Sequence, residues 1–343
     1  MTTLPLRLAG ALLSLLSLAA CNAPATLALH GRTMGTTWSA TMVVPAGVDA
    51  DGVEAGIQHE LDRVVAQMST YEEDSDLVRF NRAPAGSWHA LPPEFFAVLE
   101  HALALAADTG GAYDPTVAPL VDLWGFGAAG RDHRIPPATA IVAARERVGW
   151  QRIRLDPGTR RAYQPGGAWI DLSSIAKGFA ADQAGRQLEG RGITDYLVEV
   201  GGELRARGRR ADGRAWRVAI ERPDAAPGAV ELLEQAGPPI VLRDMAIATS
   251  GDYRHAFEHD GRRYSHHIDP RSGWPVEHRI ASVSTLAREC MQADAVGTAI
   301  MVLGPEQGMA WAERRGLAVR LLVRMGDGMV ERVSSAYAHG IAR

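Results

Sequence analysis

The chain has 343 residues, of which 46% are hydrophobic and 22% charged, and a formal charge of −4 at pH 7. Such a length and composition support a sizeable core, in one large domain or two closely packed ones, and exclude gross disorder. The near-neutral balance gives no electrostatic case for a nucleic-acid partner.

Arg7 is followed by an apolar run over 8–18. This is the length of a signal-peptide core and too short to span a bilayer of ~30 Å as a helix. Leu18-Ala19-Ala20-Cys21 then resembles a bacterial lipobox, so that cleavage before Cys21 leaves a lipidated cysteine as the mature N-terminus. An ordinary secretory signal cut nearby is the alternative, and it changes anchoring but not export. The chain thus divides into a signal peptide over 1–20, a lipidated tether over 21–28 and a folded domain over 29–343. With Cys21 acylated, Cys290 has no partner and no disulfide framework is expected. Cys290 reads as a small buried apolar residue.

The stretch from His30 to Trp38 leads into an alternating strand that ends at Val44-Pro45. Val53, Ile57, Leu61, Val64 and Met68 then recur at the spacing of one buried helix face. The acidic run over 72–76 has no ligand spacing and reads as a solvated loop. Pro92-Pro93 opens a second helix, which Gly110-Gly111 stops. A turn at Tyr113-Asp114-Pro115-Thr116 is followed by a helix over 138–148 and a strand over 153–155. Trp169-Ile170-Asp171-Leu172 alternates like a strand end, and Ser173 or Ser174 can cap a helix beginning near Ile175. Strands over 196–200 and 216–220 are joined through Gly201-Gly202 and Gly208, with the Arg-rich stretch 205–214 on a solvated hairpin edge. The apolar residues 246–248 run into Thr249-Ser250-Gly251-Asp252-Tyr253, and the stretch from Tyr264 to Gly273 is a polar corner between strands. A helix through 293–299, another through Trp311 and a strand over 317–323 complete the chain. Helices and strands in mixed order without unbroken alternation indicate an α+β fold.

Three groups of residues could carry chemistry. Asp171, Ser174 and Lys177 are spaced three apart at a helix start, where free amides already favour an anion. Lys177 is the only lysine in the chain, a compact point charge among many arginines, although one solvated helix residue would look the same. Asp294 and Thr298 stand four apart on one helix face and offer hard oxygen ligands suited to Mg²⁺, or else form an ordinary surface pair. His266 and Asp269 could form a general base with its orienting carboxylate, or belong to a turn with Pro270 and Ser272-Gly273. Zinc is not indicated, because further His and Cys at ligand spacing are missing. Gly31 to Gly35 and Gly201-Gly202 lack the strand, G-x-G-x-x-G and helix order of a Rossmann site.

Together these stretches resemble the ApbE family of flavin transferases. The resemblance covers nearly the whole mature chain. It is carried by Met34-Gly35-Thr36, Met68-Ser69-Thr70-Tyr71, Tyr113-Asp114-Pro115-Thr116 with Trp124-Gly125-Phe126-Gly127, and Asp171-Leu172-Ser173-Ser174-Ile175-Ala176-Lys177-Gly178. Further on, Gly201-Gly202, Thr249-Ser250-Gly251-Asp252-Tyr253, the stretch from His266 to Pro270 and Ala293-Asp294 continue it in the same order. The resemblance implies a mixed fold of β-sheets with packed helices and a flavin site in a cleft between two halves. It implies FAD contacts at Met34, Tyr71, Ala112, Tyr113, Asp114, Asp171 and Lys177, and Mg²⁺ ligands at Ser174, Asp294 and Thr298, with Gly297 beside them. Two positions depart from the family pattern, His267 where an aliphatic residue is expected and Ser174 where a small residue making its contact through its carbonyl is expected.

The implied activity is Mg²⁺-dependent transfer of FMN from FAD to a Thr or Ser hydroxyl of an exported acceptor flavoprotein, with AMP leaving. His266, oriented by Asp269, is the expected base. The enzyme is expected to be lipid-anchored in the bacterial cell envelope, facing the periplasm. Hydrolysis of FAD to FMN and AMP by the same site, and flavin binding without turnover, are the alternatives.

Overall fold

The computed structural model describes residues 25–128, 134–220, 223, 240–252, 256–326 and 328–341. The expected signal peptide, the lipobox with Cys21, and Tyr253 lie outside these residues.

Eight strands form one sheet in which spatial order follows chain order: Ala25–Thr33, Thr36–Val44, Asp195–Val200, Glu203–Arg207, Met245–Gly251, Ile280–Ala287, Ala318–Met325 and Gly328–Val333. Every neighbouring pair is antiparallel. Helices are inserted between strands, so the fold is α+β, as expected, and shows no doubly wound parallel sheet.

The first hairpin differs from the sequence reading. Its first strand begins at Ala25, inside the segment read as a tether, and pairs with the second from Ala25↔Val44 to Thr33↔Thr36. Only Met34 and Gly35 join the strands, both at positive φ (49° and 71°). A two-residue connection with both residues left-handed is the turn whose twist matches a hairpin. Glycine takes this conformation freely, whereas for Met34 it is uncommon.

Val53–Met68 forms the expected helix with Val53, Ile57, Leu61, Val64 and Met68 buried. Pro93–Asp108 forms the second, with Pro93 in its first turn and Gly110 and Gly111 at positive φ beyond its end. The Cys290–Arg315 segment is two helices broken at Gly304, whose φ of 81° and ψ of 173° are not helical, with Pro305 following. Pro305 has no N–H for the Met301 carbonyl. The Nε2–H of His278 donates to that carbonyl instead, while its Nδ1 accepts from the Ile280 amide at 3.3 Å.

The stretch over 169–172 belongs to no strand of the described residues, which corrects the expected strand end. Buried Asn81 takes the place of a neighbouring strand: its Nδ2 donates to the Ile170 carbonyl (2.9 Å) and its Oδ1 accepts from the Ile170 amide (2.8 Å). The Asp171 amide donates to the Pro115 carbonyl at 2.8 Å. These backbone groups are met without a ladder.

Cys290 is fully buried with a free thiol, as expected. The main core fills the space between the sheet and the helices, and a separate aromatic cluster gathers Trp124, Tyr264 and Ile268 with Phe126, Phe257 and Trp274.

Candidate functional site

Two tight turns meet at one end of the sheet. Strands Thr36–Val44 and Asp195–Val200 pair with Trp38 opposite Val200, and the Gly201 amide donates to the Thr37 carbonyl at 3.0 Å. This brings Met34-Gly35 beside Gly201-Gly202. A Cβ on Gly201 would lie 2.8 Å from Thr36 Cγ2 and 3.2 Å from Lys177 Cδ, at a φ of 61°. Glycine is therefore required twice over, for its conformation and for the approach of Lys177.

Lys177 enters from the first turn of the Ala176–Gly190 helix. Its Nζ lies 2.7 Å from Glu203 Oε1 and 4.0 Å from Asp294 Oδ1, and both carboxylate side chains are only 5% exposed. Burial by itself lowers the pKa of the ammonium, but the Asp294 and Glu203 charges outweigh it and raise the value. Burial, then the neighbouring Asp294 charge, push the Glu203 carboxyl upward against the pull of Lys177. Sequence reasoning does not single out Glu203. The signal available is an acidic residue directly after Gly201-Gly202, in a stretch whose alternation points inward.

The two helices that bring Lys177 and Asp294 together cap one another. Asp294 Oδ2 accepts from the Gly178 amide at 2.9 Å, and Asp182 accepts from the amides of Cys290 and Met291, both at 2.9 Å. The serine cap expected from the sequence is not formed: Ile175 is the cap residue and makes no side-chain cap bond. Carboxylates from the facing helix meet the free amides and the positive end of each helix dipole. Gly178 permits this approach, since a Cβ there would lie 2.4 Å from the Cys290 carbonyl oxygen.

Ser174 Oγ donates to the buried Tyr113 hydroxyl at 3.1 Å. Burial raises the Tyr113 pKa, the Ser174 bond opposes it, and the charges of Asp294, Asp171 and Asp114 add to it, so these carboxylates share one neighbourhood. Asp171 Oδ1 accepts from the Ser173 amide at 2.7 Å. Asp114 faces inward as a fastener: Oδ1 accepts from the Thr116 amide and hydroxyl, and Oδ2 from the Trp150 amide. Ala112 is buried, Met34 is half-buried against the main core, and Tyr71 is 67% exposed. Thr298 is half-buried one helical turn beyond Asp294, and Gly297 packs so closely that a Cβ would lie 2.7 Å from Ser250 Oγ.

The polar corner gathers His266, His267 and Asp269. His266 is half-buried, its ring centroid 4.0 Å from that of His267 and 6.3 Å from that of Phe126. His267 is buried with its Nδ1 3.3 Å from Ser265 Oγ. The Asp269 carboxylate is clasped by Arg271, from Nε at 2.8 Å and Nη2 at 2.9 Å, and also accepts from the Arg271 amide. Its two oxygens are thus committed to Arg271, which differs from the expected orientation of His266.

Among the described residues, no three His, Cys, Asp or Glu side chains cluster at metal-ligand spacing. Magnesium does not require such a cluster, because it keeps several waters and uses one or two carboxylates together with substrate phosphates. Asp294 with Thr298, beside buried Glu203, fits that sparse mode.

The ApbE family model matches residues 34–321. A relative from Vibrio cholerae named FAD:protein FMN transferase is 41% identical over 329 residues, spanning 95% of this chain and 96% of its own. Another of that name, from Haemophilus influenzae, is 39% identical over 330 residues and spans 94% of each chain. The apo crystal structure of the Pseudomonas stutzeri flavinyl transferase ApbE is similar, with a TM-score of 0.85 at 40% identity over 93% of this chain and 98% of that one. Matched by the family model over most of its length and by these relatives nearly end to end, the chain belongs to the ApbE family.

Proposed function

We propose that this chain is an FAD:protein FMN transferase that moves FMN from FAD to a Thr or Ser hydroxyl of an exported acceptor protein and releases AMP. The relatives' shared name supports the flavin transfer. The observation that carries the reading is the convergence of Lys177, Asp294 and the two tight turns at one end of the sheet, beside Tyr113 and Ser174.

FAD would be held by Met34, Tyr71, the segment Ala112, Tyr113 and Asp114, Asp171 and Lys177. Their chemistry suits a flavin dinucleotide, with an exposed aromatic face at Tyr71, a backbone fastened by Asp114, and a point charge at Lys177 near the diphosphate. The acceptor oxygen bonds to the flavin-side phosphorus while the bond to the AMP phosphate breaks. The hydroxyl proton goes to His266. Such a transfer rests on positioning and on stabilising charge as it develops. Asp294, Thr298 and Ser174 would hold Mg²⁺, which would supply charge neutralisation for the diphosphate.

The test combines the purified protein with FAD and Mg²⁺, with and without a candidate acceptor. The expected result is AMP release and covalent fluorescent flavin only when the acceptor is present. Equal AMP release without acceptor would make the chain an FAD pyrophosphatase, and retention of intact FAD in both arms would make it a binding protein.

A further inference from the structure

Glu203 Oε1 is paired with Lys177, but Oε2 is buried and has no hydrogen-bond partner. A carboxylate oxygen buried without a donor bears an uncompensated desolvation penalty, and folded proteins rarely keep one without use. The nearest charged neighbours deepen the imbalance. Asp294 is equally buried, its Oδ2 accepts from the Gly178 amide, and its Oδ1 lies 4.0 Å from the same lysine. Two carboxylates therefore share one ammonium. Of their oxygens, Glu203 Oε2 is the one left buried without a partner.

We propose that Glu203 is the second carboxylate of the divalent-cation site, contributing Oε2 alongside Asp294. This rests on the placement of the cation at Asp294 and Thr298. A divalent cation adds two positive charges to the Lys177, Glu203 and Asp294 group, the sign that a diphosphate needs. It also gives the orphaned oxygen its partner. The carboxylate then has two roles, holding Lys177 with one oxygen and the cation with the other, so that the two positive groups are fixed relative to each other.

The test is Mn²⁺ binding by the full mature chain without FAD, read from the electron paramagnetic resonance signal of the free ion. Glu203→Gln is expected to weaken the dissociation constant by roughly tenfold or more, as loss of a partner near a metal does. It should also lose the metal-induced rise in melting temperature, read against the melting temperature of the same variant in EDTA, since the loss of the Lys177 ion pair lowers that baseline. If the glutamine variant does not fold, Glu203→Asp, which keeps the charge but draws the oxygens back by one methylene, gives the same readout. A dissociation constant within about twofold of wild type in the variant that folds overturns the proposal and leaves Glu203 as the holder of Lys177 alone. Asp294→Ala is measured in parallel: unchanged Mn²⁺ binding there would instead overturn the underlying placement of the cation.

Discussion

At the scale of single residues, His266 separates chemistry from binding. A general base typically contributes ~10²- to 10⁴-fold in rate and does not hold the substrate. His266→Gln is therefore expected to lose FMN transfer by about that factor, measured by in-gel flavin fluorescence, while FAD affinity by titration stays near wild type. Asp269→Asn should cost less, because its carboxylate is occupied by Arg271. Near-normal transfer by His266→Gln would assign the proton to another group, and loss of FAD binding would make the residue structural. Lys177, Asp294 and Thr298 are singled out in the sequence by short motifs, and the structure places them on the Ala176–Gly190 and Cys290–Arg315 helices. Glu203 is not, since its role arises from a pairing with Lys177 across 26 positions of sequence. Nor is the orphaned oxygen, which only burial defines.

At the scale of elements, local signals succeed where the cause is local. The Val53–Met68 and Pro93–Asp108 helices follow from apolar spacing and from Pro and Gly at their ends, and Gly304-Pro305 divides the long helical segment. They fail where the partner is distant: the Gly178 amide is met by Asp294, 116 positions away, and Ile170 by Asn81, 89 positions away. The reciprocal caps allow a test of this long-range arrangement. Gly178→Ala places a methyl against the Cys290 carbonyl, which is backbone and cannot swing aside. Overpacking of this kind costs ~1–3 kcal/mol, so urea unfolding should show that loss, and Mn²⁺ binding should weaken as Asp294 is displaced. Full stability with unchanged Mn²⁺ binding would show that the two helices can part without cost. A second test concerns the broken helix. Burial lowers the pKa of His278, against smaller opposing effects, and both ring nitrogens are engaged in the neutral form. The folded state thus takes up the proton less readily than the unfolded chain, whose histidine titrates near ~6.5. Stability is full above that value and falls as pH drops from it toward the lowered folded value. His278→Gln, which can still donate to Met301, should flatten this acid-side decline in urea unfolding; an unchanged slope would assign it to other groups such as His101.

At the scale of the whole molecule, the first hairpin relates the proposed anchor to the proposed site. The described fold starts at Ala25, four residues beyond Cys21 (25 − 21), which reach at most about 14 Å even fully extended. From there the nine-residue strand Ala25–Thr33 runs about 30 Å to the Met34-Gly35 turn, so the proposed site stands at the end of the hairpin remote from Ala25. No helix of the described residues is long and apolar enough to cross a membrane. If acylation of Cys21 supplies the attachment, its strength comes from buried methylenes at ~0.8 kcal/mol each, and nothing at the far end of the hairpin depends on it. Cys21→Ser should accordingly be exported yet recovered in the soluble fraction, with FMN transfer to a soluble acceptor at the wild-type rate. Retention of the variant in the membrane fraction would place the anchor elsewhere, and a soluble variant with impaired transfer would show that the lipidated end bears on the site despite the length of strand between them.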